Sequence, residues 1–79
     1  MSKEEIHIGN LIKSKLEEDG RSVQWLAKQI NCKRANVYDI FKRATIDTDQ
    51  LLCICLSLKY DLFLYLSECY KKMLDAPVN

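Results

Sequence analysis

Two stretches of helically spaced apolar residues lie close together in the middle of the chain, and the residues joining them leave little conformational freedom. Leu26 and Ile30 mark the inward side of the first stretch, and Val37, Ile40 and Phe41 that of the second. Between them stands Asn31, one of the few non-glycine residues that tolerates a positive φ. Two helices joined through so short a connector must pack at a steep angle. Ala27 falls where they come closest, so a larger side chain there forces them apart, and Cys32 is placed to plug the turn. Ser22 stands where its hydroxyl caps the first helix, of about eight residues. The second helix runs over 33–42, and the corner as a whole occupies 22–42.

The flanking sequence continues the helical pattern. Ser2-Lys3-Glu4-Glu5 has the form of a capping box, placing the start of a first helix there or shortly after. Ile8, Leu11, Ile12 and Leu16 recur at helical spacing, Lys13, Lys15, Glu17 and Glu18 fill the wet side, and Asp19-Gly20 closes the helix. Arg43-Ala44-Thr45-Ile46 reads as a loop. Asp47-Thr48-Asp49-Gln50 is a second capping box, opening a helix with Leu51, Leu52, Ile54, Cys55 and Leu58. Asp61 caps a last helix over 61–74, and Pro77 marks a frayed end. One proline and two glycines in 79 residues suit helices far better than strands. The reading is all-α: five short-linked helices in one domain over 1–79, with its core at about 8–74.

Charge is unevenly placed. The net value is only +1, yet residues 21–43 carry six bases against a single acid, Asp39, while the rest carries six against ten. A molecule polarised in this way can turn one side to a polyanion. The four cysteines do not make a metal site: Cys53 and Cys55 point to nearly opposite sides of one helix, and Cys32 and Cys69 have no ligand at suitable spacing. The start, Met1-Ser2-Lys3-Glu4-Glu5, is charged and no apolar signal core follows, and no apolar run reaches membrane-spanning length. Reduced thiols and a cytoplasmic location are expected. His7 has no identifiable nucleophile partner, and there is no phosphate-binding glycine loop. Enzyme activity, cofactors and metals are not expected.

The pattern Leu26-Ala27-x-x-Ile30-Asn31-Cys32-x-x-x-x-Val37-x-x-Ile40-Phe41 resembles the helix-turn-helix of the lambda-repressor-like, or Xre-like, transcriptional regulators. Leu51-Leu52-x-Ile54-Cys55-x-x-Leu58, followed by Asp61 and an apolar helix, resembles the fourth and fifth helices of that five-helix domain, so the likeness covers about residues 8–68. The chain departs from the family pattern with Asn31 for the customary Gly, Val23 for a polar residue, and Lys33 for Ser or Thr. The resemblance implies a sequence-specific regulator of transcription, a repressor by occlusion, whose helix 33–42 enters the major groove of double-stranded DNA. Its candidate base contacts are Arg34, Ala35, Asn36, Tyr38 and Asp39. Arg34 suits guanine, Asn36 suits adenine, and Asp39 either accepts from cytosine or orients Arg34. Tyr38 and Asp39 are read as lying one turn beyond Arg34 on its face. Gln24, Lys28, Lys33, Lys42 and Arg43 are the candidate contacts to the DNA backbone.

The last helix places Leu62, Phe63, Leu64, Tyr65, Leu66, Cys69, Tyr70, Met73 and Leu74 on more than one side. A homodimer through helix 61–74 would bury the excess and set two recognition helices about one DNA turn, roughly 34 Å, apart. The rival reading makes the same surface the active one: a protein-interaction module on this fold, self-associating or binding a partner as an antitoxin does.

Overall fold

The computed structural model describes residues 6–75, which form five helices and no strand. They are α1 (Ile8–Glu18), α2 (Val23–Gln29), α3 (Arg34–Lys42), α4 (Thr48–Leu58) and α5 (Leu62–Asp75). The expected all-α architecture is therefore the observed one. The Ser2-Glu5 capping box and Pro77 lie outside the described residues.

Local chemistry explains most of the helix starts. Ser22 Oγ accepts from the Trp25 amide at 3.0 Å, Asp47 Oδ1 from Gln50 at 2.7 Å, and Asp61 Oδ1 from Leu64 at 3.0 Å. Each satisfies a first-turn donor that has no partner within its own helix. The cap of α1 is His7, whose Nδ1 accepts from the Asn10 amide at 3.0 Å. This gives the lone histidine a structural task that its sequence context did not reveal. Asp47→Ala should cost about 1 kcal/mol. A thermal melt should show this as a fall of several degrees in Tm.

Three residues take positive φ: Gly20 (68°), Asn31 (58°) and Lys59 (55°). The first two are the closing positions expected from sequence. Lys59 ends α4 in the left-handed region although it has a Cβ, and its conformation lets the Tyr60 amide return to the Cys55 carbonyl at 3.2 Å.

The core is a single cluster drawn from all five helices. Ile12, Leu26, Val37, Ile54 and Leu62 are fully buried at its centre, with Ile8, Leu16, Ile40 and Leu51 around them. Leu52 and Leu56 lie outside it, exposed on the far side of α4. On that helix Cys55 is buried and Cys53 exposed, the opposite placement their spacing predicts. The Lys15 ammonium lies 4.1 Å from the Tyr60 ring centre and 3.1 Å from Glu18, tying the wet side of α1 to the start of the last connection.

Helices α1 and α3 join backbone to backbone. The Ile8 amide donates to the Ala44 carbonyl and the Gly9 amide to the Arg43 carbonyl, both at 2.9 Å. Orphan donors at the start of one helix thus meet acceptors just beyond the end of another. Gly9 is buried, and a Cβ there would collide with the backbone of Ile40 and Phe41. The glycine sets how near α1 comes, and so helps fix the end of α3.

Candidate nucleic-acid interface

Helices α2 and α3 meet through a turn made by the backbone. The Ile30 amide donates to the Leu26 carbonyl at 3.0 Å, Asn31 to Lys28 at 3.2 Å, and Cys32 to Ala27 at 2.8 Å. Asn31 takes the left-handed conformation that this reversal requires. Cys32 is half-buried, its Sγ 3.4 Å from the Lys33 carbonyl. Burial pushes its thiol above the ordinary cysteine range, so the group stays protonated and acts as a plug. Ala27 is buried between the helices. Trp25 is half-buried, and the Arg21 guanidinium stacks 4.5 Å from its ring.

Val37, Ile40 and Phe41 lock the inner side of α3 into the core. The opposite side is open: Arg34, Ala35, Asn36, Tyr38, Asp39 and Lys42 are all exposed, as are Lys33 and Arg43 at its ends and Gln24 and Lys28 on α2. One rigid helix therefore carries all the candidate base contacts, with the candidate backbone contacts at its ends and on its neighbour.

The helix starts at Arg34, one residue later than expected, because Lys33 is the cap residue. Its carbonyl accepts from Asn36 at 2.9 Å, but its side chain has no acceptor and no side chain caps this helix. The first turn of α3 keeps amide donors available to an outside anion, beside two cationic side chains.

The outer side of α3 is not uniform. Tyr38 and Lys42 face α1, sharing a groove of about 430 Å³ with His7, Asn10, Lys13 and Phe41. The Tyr38 ring stands edge-on to Phe41, 6.1 Å between centroids. Asn36, Asp39 and Arg43 face α4, lining a cleft of about 250 Å³ with Ile40 and Gln50. Asp39 thus does not share a face with Arg34: five residues advance a helix by about 140° in projection, whereas four bring Tyr38 to within about 40°. No ion pair joins Asp39 to Arg34 among the described residues. His7, Asn10, Lys13 and Gln50, absent from the sequence-based site, line these two hollows.

No three His, Cys, Asp or Glu side chains approach one another as a metal cluster among the described residues. No single helix there is long and apolar enough to cross a membrane.

These features define a helix-turn-helix set in a five-helix domain. The same fold is seen in crystal structures of the restriction-modification controller protein C.Esp1396I. Its wild-type form matches with a TM-score of 0.65 at 20% identity, covering 87% of this chain and 91% of that one. A mutant form of the controller matches with a TM-score of 0.66 at 19% identity, covering 98% and 100%. No family model and no curated protein matches the chain by sequence.

Proposed function

We propose that this chain is a sequence-specific DNA-binding regulator of transcription of the lambda-repressor-like type, reading the major groove of duplex DNA through α3 and repressing by occlusion. The observation that carries this reading is the presentation of α3: its inner side is fixed by Val37, Ile40 and Phe41 while its outer residues stand in solvent. A recognition helix needs that rigidity, because base discrimination depends on donors and acceptors held in place before contact. Arg34, Ala35, Asn36, Tyr38 and Asp39 are the residues assigned to base edges, and Gln24, Lys28, Lys33, Lys42 and Arg43 those assigned to the backbone. The likeness to a protein named as a controller supports a regulatory role.

Selection of duplexes from a random-sequence pool by the purified protein tests the proposal. Enrichment of a defined site, palindromic if the protein is a dimer, is expected. A selected pool that remains random would contradict sequence-specific binding.

Self-association through α5 belongs to the same reading. Of its fourteen residues only Leu62 is fully buried, while Leu64, Tyr70 and Leu74 are more than half exposed. Leu52 and Leu56 on α4 and Phe63 on α5 are also exposed and line one shallow hollow. Such a surface gains by burial at roughly 25 cal/mol per Å² of apolar area. Light scattering at micromolar concentration should give twice the 9.2 kDa chain mass. Leu64→Glu should restore the single-chain mass without unfolding the domain, since the side chain lies outside the core. A chain that stays at 9.2 kDa even on its selected duplex would rule out the dimer. A dimer with no affinity for any duplex would favour the protein-interaction reading instead.

A further inference from the structure

We infer that the groove between α1 and the C-terminal half of α3 is a clamp for one sugar-phosphate strand of the bound duplex, with Lys13 and Asn10 of α1 working alongside Lys42 of α3. This rests on the duplex-binding reading and adds to it a contact surface on the first helix.

A helix with its side chains is about 10–12 Å across, close to the roughly 12 Å width of the major groove. A helix seated there has a phosphate strand along each flank. In this chain one flank faces α4 and the other faces α1, and the two differ in charge. The α4 side offers Arg43, but Asp39 lines the same cleft and Asp47 and Asp49 stand at the start of α4. That flank mixes both signs of charge, with Arg43 its one cationic contact for phosphate. The α1 side holds Lys13 and Lys42, with the amide of Asn10 and the imidazole of His7, and no acid lines it.

Two further observations fit a backbone contact. Neither Lys13 nor Lys42 is engaged in an ion pair among the described residues, so neither must leave a partner to reach a phosphate. The groove is also firmly built: Gly9 and the bonds from Ile8 and Gly9 to Ala44 and Arg43 hold its α1 wall against the end of α3. Lys13 therefore keeps its place relative to the recognition helix. Because its target is a phosphate, it contributes affinity and orientation without discriminating sequence.

The test is a fluorescence-anisotropy titration of the selected duplex against wild type, Lys13→Ala and Lys15→Ala, over a range of salt. Lys15, on α1 but outside the groove and paired with Glu18, controls for loss of one positive charge away from the proposed contact. Lys13→Ala should weaken binding roughly five- to tenfold per bound chain near 0.1 M salt and flatten the plot of log K against log salt by about 0.9 for each chain bound. It should do so equally on the preferred and on scrambled duplexes. Lys15→Ala should match wild type, and inorganic phosphate at constant ionic strength should displace nothing. Circular dichroism melts of the variants check that the fold is kept, and Lys13→Gln provides a second neutral replacement.

Lys13 variants that bind like wild type would overturn the clamp while leaving the duplex-binding reading intact. So would an equal loss from Lys15→Ala, which would reduce the effect to general charge. A wild-type protein without salt-dependent duplex affinity would overturn both.

Discussion

Gly9→Ala should lower stability by about 3 kcal/mol, near the upper end of what overpacking usually costs. Helix propensity alone argues for the opposite sign, since alanine is better than glycine inside a helix by up to about 1 kcal/mol. The steric term wins because an added Cβ meets backbone rather than a side chain that could turn away. The carbonyls of Ile40 and Phe41 would have to move, and with them the bonds that Ile8 and Gly9 make to Ala44 and Arg43. A domain of this size has about 4–12 kcal/mol in hand, so the loss is a large fraction. At roughly 4–8 °C per kcal/mol, Tm should fall by about 12–24 °C. Gly20→Ala supplies the contrast. Gly20 has φ 68° and open space around its Cα, so alanine there meets only the left-handed penalty of about 1–2 kcal/mol. Calorimetry on the two variants should rank Gly9→Ala as clearly the worse. The reverse order, or a stabilised Gly9→Ala, would mean that α1 does not rest on the end of α3 as described.

The second large effect concerns recognition. Arg34→Ala should cost about 1–3 kcal/mol on the selected site, roughly 5- to 150-fold in affinity, and relax the preference at one base pair. Arg34 opens α3, is exposed, and can offer a pair of donors to the O6 and N7 of a guanine. Lys42→Ala should behave differently, weakening all duplexes alike and reducing the salt slope by about one unit for each chain bound. The distinction lies in what each side chain meets, because a phosphate is the same at every position and a base edge is not. Competition titrations with single-base variants of the site separate the two behaviours. If Arg34→Ala and Lys42→Ala both bind like wild type, the assignment of α3 to the groove fails.

Much of the fold was legible because its determinants are local. Ser22, Asp47 and Asp61 stand immediately before runs of helical apolar spacing, and each does cap the helix that follows. Asn31 was readable for a similar reason: few residues accept the backbone conformation that the turn demands. The core positions of α3 follow from period alone. What escaped the sequence depends on contacts between distant segments. Gly9 looks like a weak point in a helix until the end of α3, some thirty residues on, is placed against it. His7 gives no sign of capping, since imidazole is an uncommon acceptor at that position. The two-sided character of α3 was partly hidden by adjacency. Tyr38 and Asp39 are neighbours in sequence, but about 100° of helical rotation sends one toward α1 and the other toward α4. The groove with Lys13 exists only once α1 is docked, so no reading of the 22–42 segment could include it.

The outer side of α3 is the surface proposed to meet DNA. Amide chemical-shift mapping during titration with the selected duplex tests it most directly. Shifts are expected to concentrate in residues 33–43, at Gln24 and Lys28, and at Asn10 and Lys13 across the groove, with the exposed leucines of α5 little affected by duplex beyond their dimer positions. Shifts confined to α5, with residues 33–43 unmoved, would contradict it.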